Sequence, residues 1–286
     1  SQETEAIDSL QLLVKEFGKT DIVIFVDDFH YIQRDVQAEL AAQIKDAISK
    51  GVKIVVAAVP YHSDDVLRGN PDLRGRLYSI DFDYWAGNVL KKIAYKGFRE
   101  LGIQYREPMV SRMASEAAGS PQLMQYLCLS SCNEIGVSEP LDGGADLPDD
   151  KALLQRICLR TVPATDYSST VEKMKEGPKK RGSDRKIFIT NDGWQGDVYR
   201  LLLLALAQNP PILTFRYQDL QSRIASTTTG ESPSGSSVTS ACSHVAKIAN
   251  ESAGAAVVEW DGENDVLDIR DPYLLFYLRW CNTLDT

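Results

Sequence analysis

Long apolar runs are missing from this 286-residue chain: the longest, Leu201 to Ala207, reads "LLLLALA". It is far short of the roughly 20 residues that a membrane-crossing helix needs. Histidine is scarce, with only His30, His62 and His244, and these are too far apart to share a zinc ion. The five cysteines, Cys128, Cys132, Cys158, Cys242 and Cys281, form no CxxC pair. Their placement predicts reduced thiols in or near the core of a cytoplasmic protein rather than a disulfide framework. A positive charge surplus is missing too. The formal net charge is −9, which argues against general binding to nucleic acid or to an anionic membrane. The opening "SQETEAIDSLQLL" is acidic and amphipathic, unlike a signal peptide.

What the chain does have is a pattern of helices and strands with a change of character along its length. In residues 1–104, two apolar strands, "IVIFV" at 22–26 and "VKIVVAAV" at 52–59, flank an amphipathic helix. Continuous apolar strands separated by a helix predict a parallel sheet covered on both faces. A shorter third strand is expected in "RLYSIDF", and "AGNVLKKIAYKGFRELG" reads as an amphipathic helix. Residues 105–170 read as mainly helical, interrupted by an acidic loop, "VSEPLDGGADLPDD", with Ser120 as an N-cap and Pro121 in the first position of its helix. Residues 171–192 form a candidate basic linker, with seven Lys or Arg between Lys173 and Lys186. Residues 193–286 read as three helices followed by a strand, a turn at 261–264 and a strand. That is the order of a winged helix-turn-helix.

The chemistry concentrates at "IVIFVDDFHYI", where two carboxylates, Asp27 and Asp28, end an apolar strand. Such a pair suits Mg²⁺ on the first acid and an attacking water on the second. It is equally what a strand end looks like when it meets solvent or caps the next helix.

The stretch resembles the Walker B strand of P-loop ATPases of the AAA+ and STAND classes, and its Asp-Asp-aromatic-His form is closest to the STAND side. AAA+ proteins usually carry Glu where this chain has Asp28. "KIVVAAVP" is similar to the sensor-1 strand of the same proteins. "NPDLRGRLYSIDF" resembles the segment whose arginine reaches a neighbouring subunit's nucleotide, at Arg74 or Arg76. "EAAGSPQLMQYLC" resembles the Gly-x-Pro segment of the helical lid, where Gly119, Ser120 and Pro121 would touch the base and sugar. "IRDPYLLFYLRW" is similar to the closing segment of the archaeal-type members. The resemblance covers nearly the whole chain in element order, but in sequence only these short blocks.

It implies an α/β fold: part of a P-loop parallel sheet, then a helical lid, then a C-terminal winged helix. It also implies ATP or ADP with Mg²⁺, Asp27 on the metal side, Asp28 orienting water, and self-assembly or protein partners in a nucleotide-regulated switch of bacterial defence or signalling type.

Half of that site is missing from the sequence. No G-x-x-x-x-G-K-[ST] occurs in it. "GKT" at 18–20 lies where the first glycine of the pattern would be Leu13, and it runs into a strand instead of opening a helix. Gly18 reads as a helix C-cap. The phosphate loop is therefore expected upstream, and the chain as given is expected neither to bind ATP tightly nor to hydrolyse it.

Two other readings stand beside the switch: a DNA-binding loader of the origin-recognition type, and a scaffold that only joins partners. From Gln195 to Thr286 there are six basic and eleven acidic residues, which disfavours DNA.

Overall fold

The computed structural model describes residues 9–27, 32, 34–57, 78, 80, 84–140, 143–179, 184–281 and 284. Asp28, Arg74 and Arg76 lie outside them, as does most of the expected third strand. The protein is mixed α/β, dominated by helices with small sheets. Its contacts form two units, residues 1–83 and 84–286. The boundary falls inside the span read as a core over 1–104.

In the first unit, α1 (Ser9–Phe17) leads to β1 (Val23–Val26), α2 (Arg34–Ser49) and β2 (Lys53–Val56). β1 and β2 pair in parallel, with Val23 opposite Lys53 and Val26 opposite Val56. Gly18 closes α1. Its N–H donates to Val14 O at 2.9 Å, and a Cβ there would meet that oxygen at 2.6 Å. The "GKT" is thus a helix terminus.

Ala41 and Ile44 of α2 bury one face of the pair, against Val26, Ile54 and Val56. The other face was expected to be covered as well, but Val23, Phe25 and Val55 are exposed, Phe25 by 63%. An apolar run of this kind does not distinguish one covered face from two, because the side chains alternate between them.

The second unit holds two cores. The first takes α3 (Gly87–Glu100), α4 (Glu107–Glu116), α5 (Pro121–Glu134) and α6 (Lys151–Thr161), with Leu90, Phe98, Met109, Met113, Leu123 and Leu127 fully or almost fully buried. β3 (Ile103–Tyr105) pairs in parallel with β4 (Ala145–Leu147). Asp150 caps α6 by accepting from Ala152 N and Leu153 N.

The second core begins with α7 (Ser168–Glu176), whose Val171 and Met174 are fully buried. The first residues of the span read as a basic linker are therefore packed helix. Arg185, further along that span, is also pinned. It donates to Asp197 Oδ2 at 2.8 Å and to Glu176 O at 2.6 Å, and it lies over the Tyr199 ring.

A short hairpin, β5 (Phe188–Ile189) with β6 (Gln195–Gly196), leads into α8 (Val198–Ala207), β7 (Thr214–Arg216), α9 (Tyr217–Thr227) and α10 (Gly235–Ala253). Then β8 (Val258–Asp261) and β9 (Val266–Ile269) form an antiparallel hairpin, and β7 pairs with β9 to give the strand order β7-β9-β8. Ser234 caps α10, and Gly254 ends it at φ +70°.

The last helix, α11 (Pro272–Trp280), is apolar on both sides because it serves both cores. Leu274, Leu275 and Leu278 enter the second core. Tyr273, Phe276 and Trp280, spaced three and four apart, face the first.

Candidate functional site

Of the residues read as touching a nucleotide, Gly119, Ser120 and Pro121 form the turn between α4 and α5. Gly119 adopts φ +87°, and a Cβ there would meet Tyr84 Cβ at 2.5 Å, so both conformation and space demand glycine. Its carbonyl accepts from Trp85 N at 2.9 Å. Ser120 is buried and caps α5, its oxygen accepting from Leu123 N at 3.1 Å. Pro121 is the first residue of that helix. Capping thus accounts for Ser120 and Pro121. Asp27 is exposed immediately after β1. Among the described residues no group of three or more His, Cys, Asp or Glu is arranged to hold a metal, and no helix is long and apolar enough to cross a membrane.

Gly119 borders a cavity. A cleft of about 420 Å³ opens beside it, lined also by Trp85, Asn88, Lys91, Ser111, Ser115 and Pro211. Trp85 is 44% exposed at this cleft. Lys91 is held by Glu107, with Nζ donating to Oε1 at 2.8 Å, and the Tyr95 hydroxyl donates to both oxygens of the same carboxylate at 2.7 Å. The lysine and phenol hydrogen bonds hold Glu107 below the usual carboxylate range, while the Glu107 bond raises Lys91. The cleft therefore offers an aromatic face, one fixed cation and several hydroxyl and amide groups, a mixture suited to a flat polar ligand.

Sequence reading missed a polar junction at the end of α4, next to Ser115 of the cleft. Arg279, on α11, forks Glu116 at the end of α4: Nε donates to Oε2 at 2.8 Å and Nη2 to Oε1 at 2.7 Å. Trp280 Nε1 also donates to Oε2, at 2.8 Å. The two charged side chains are only 5% and 8% exposed. An arginine inside the apolar run "YLLFYLRW" was the one visible signal, but nothing in the sequence links it to a glutamate 163 positions earlier.

A second, hydroxyl-lined cleft of about 610 Å³ has Asp271 and Tyr167 in its wall. Asp271 caps α11, accepting from Tyr273 N at 2.8 Å, and the Tyr167 hydroxyl donates to its other oxygen. The buried Tyr273 hydroxyl meets no partner at full hydrogen-bond geometry. Its polar neighbour is Ser120.

Burial raises Asp271 above the usual carboxylate range. Between the unfolded and folded pKa the folded chain then binds more protons at this site, so its contribution to stability falls as pH rises through that window. Asp271→Asn keeps a capping oxygen and has no proton to lose. Relative to wild type it should gain stability as pH rises above about 4, while Asp271→Ala should cost about 0.5–2 kcal/mol. Urea midpoints across a pH series measure both. Parallel curves for wild type and Asp271→Asn would mean that Asp271 titrates as it does in the unfolded chain.

All five cysteines are free thiols. Burial pushes Cys128 and Cys242 up to about 12, far from reactive thiolates. No protein-family model, curated protein or solved structure matches the chain.

Proposed function

We propose that this chain is the C-terminal part of a nucleotide-regulated STAND/AAA+-like ATPase, acting as a switch or assembly module. The observation that carries the proposal is the cleft beside Gly119, on a helical unit joined by one shared helix to a helix-strand-helix-helix-hairpin unit. The strand order β7-β9-β8, with the strand between the first two helices pairing with the last, supports a winged helix for that second unit. The parallel neighbours β1 and β2, joined through α2, support a Walker B strand beside a sensor-1 strand.

In this reading the cleft takes the base and sugar of ATP or ADP. Trp85 supplies the flat face, and the backbone at Gly119 allows close approach. Asp27 is exposed at the carboxyl edge of the parallel pair, where an acid of a Mg²⁺ nucleotide site is found, and its role on the Mg²⁺ side rests on the resemblance. The roles of Asp28 in orienting water, and of Arg74 or Arg76 in reaching a neighbouring subunit, rest on the resemblance alone. The exposed apolar face of Val23, Phe25 and Val55 supports a protein partner or self-assembly.

The loader reading has less support. The exposed face of α10 presents Ser236, Ser237, Ser240, Ser243 and His244, and its single basic Lys or Arg is Lys247, which lies 3.9 Å from Glu251. The hairpin turn adds Asp261, Glu263 and Asp265. Such a face repels phosphate.

Adenosine tests the cleft without calling on a phosphate loop. Equilibrium dialysis should give a dissociation constant on the order of 1 mM or tighter, about −4 kcal/mol, and Trp85→Ala should abolish binding. No binding by wild type would refute the assignment of this cleft. In a chain extended upstream along its natural coding sequence, Mg²⁺-dependent ADP binding should disappear in Asp27→Ala.

A further inference from the structure

The Glu116–Arg279 pair does not line the cleft, but its two ends attach to chain segments that do: Glu116 follows Ser115, and Arg279 holds residues 207–209, just before Pro211. One wall is the end of α4 and the following turn, through Ser115 and Gly119. The other is Pro211, in the loop that follows α8. Arg279 holds Glu116, the residue next to Ser115. It also holds the loop: Nη1 donates to Ala207 O at 2.6 Å and Gln208 O at 3.0 Å, and Nη2 donates to Asn209 Oδ1 at 2.7 Å. All five guanidinium donors are thereby used. Arg223 grips the same loop from α9, donating to Pro210 O at 2.9 Å.

Burying this pair is not the stable choice for a junction that Phe276 and Trp280 already close. Well-packed apolar side chains serve at least as well. What a planar fork adds is a fixed spacing between a carboxylate on one element and carbonyls on another.

We infer that Arg279 is the positioning residue of the cleft: it sets the separation of the Ser115–Gly119 wall from the Pro211 wall, and so couples occupancy of the cleft to docking of the C-terminal core on the lid core. The inference rests on the proposed adenosine cleft and adds what holds it open and how its state is passed on. By linkage, a ligand that fits the clamped cleft tightens the junction by the same factor that the clamp tightens the ligand.

The test is Arg279→Lys, which keeps the charge and loses the fork. Adenosine binding is measured at a temperature where circular dichroism shows the variant folded, together with amide hydrogen exchange in α11 and residues 207–209. Affinity should fall on the order of tenfold, and adenosine should slow exchange in α11 of wild type but not of the variant. Equal affinity in folded Arg279→Lys and wild type would overturn the inference while leaving the adenosine cleft intact. Absence of binding in wild type would instead overturn the cleft itself, and the inference with it. Should Arg279→Lys fail to fold, Glu116→Gln, which keeps the shape and removes the charge, carries the same expectation.

Discussion

Arg279→Ala should lower the free energy of unfolding by about 3–5 kcal/mol. The substitution leaves the Glu116 carboxylate buried, with Trp280 Nε1 its remaining donor among those described. It also takes a cation and two hydrogen bonds from the carboxyl end of α8, where carbonyls lack partners within the helix and the macrodipole favours positive charge. The cost is that of stranding a charge, which the net worth of the pair does not measure. The double variant Glu116→Leu/Arg279→Met should therefore recover most of the loss, or exceed wild type by about 1–4 kcal/mol. Urea unfolding of the wild type, both single variants and the double variant closes a mutant cycle. A single-variant loss below about 1 kcal/mol would put the pair in the class of exposed ion pairs and refute its burial. The double variant also separates stability from positioning, since it should be stable yet impaired in adenosine binding.

Much of the helical architecture was legible in the sequence because it rests on long periodic segments. α3 and α10 have enough turns for their apolar stripes to stand out, and Ser120 was readable as a cap, whereas Asp150 and Ser234, which also cap helices, sit in stretches that read as loops. The short strands were not legible. β3, β4 and β7 have three residues each, too few to show a period, and they exist because a distant partner completes their hydrogen bonds. β4 sits in a stretch that reads as an acidic loop, and β7 is the strand that joins the first part of the C-terminal unit to its hairpin. The basic stretch misled for another reason. Lys173 and Lys175 are charges on one side of a helix whose other side buries Val171 and Met174, and composition alone does not separate such a helix from a tether. At the candidate site, Gly119 was visible through its flanking capping chemistry. The cleft lining was not, because Trp85, Lys91 and Ser115 come from separate segments of the lid core and Pro211 joins them from the C-terminal core.

Docking itself is tested at Phe276. This side chain is fully buried, and it belongs to the lid core although its helix neighbours Leu274, Leu275 and Leu278 belong to the C-terminal core. Phe276→Ala should cost about 3–5 kcal/mol, comparable to the loss expected for a residue within a single core. Its effect on cooperativity should differ. Leu275→Ala weakens one core and leaves the junction closed, so the unit 84–286 still unfolds in one step. Phe276→Ala removes the one fully buried apolar side chain that α11 gives to the lid core, leaving Tyr273, Trp280, Ala118, Val162, the Tyr84–Arg270 hydrogen bond and the Glu116–Arg279 fork at the junction. Two transitions should then replace one. Urea-dependent amide hydrogen exchange in α3 and α5, of the lid core, and in α8 and α10, of the C-terminal core, reports them separately without touching Trp280. Coincident transitions in Phe276→Ala, with calorimetric and van't Hoff enthalpies equal, would mean that the remaining contacts, the polar fork among them, suffice to make the two cores one folding unit. Separated transitions would make the Phe276 ring necessary to that coupling, with the fork setting spacing rather than strength.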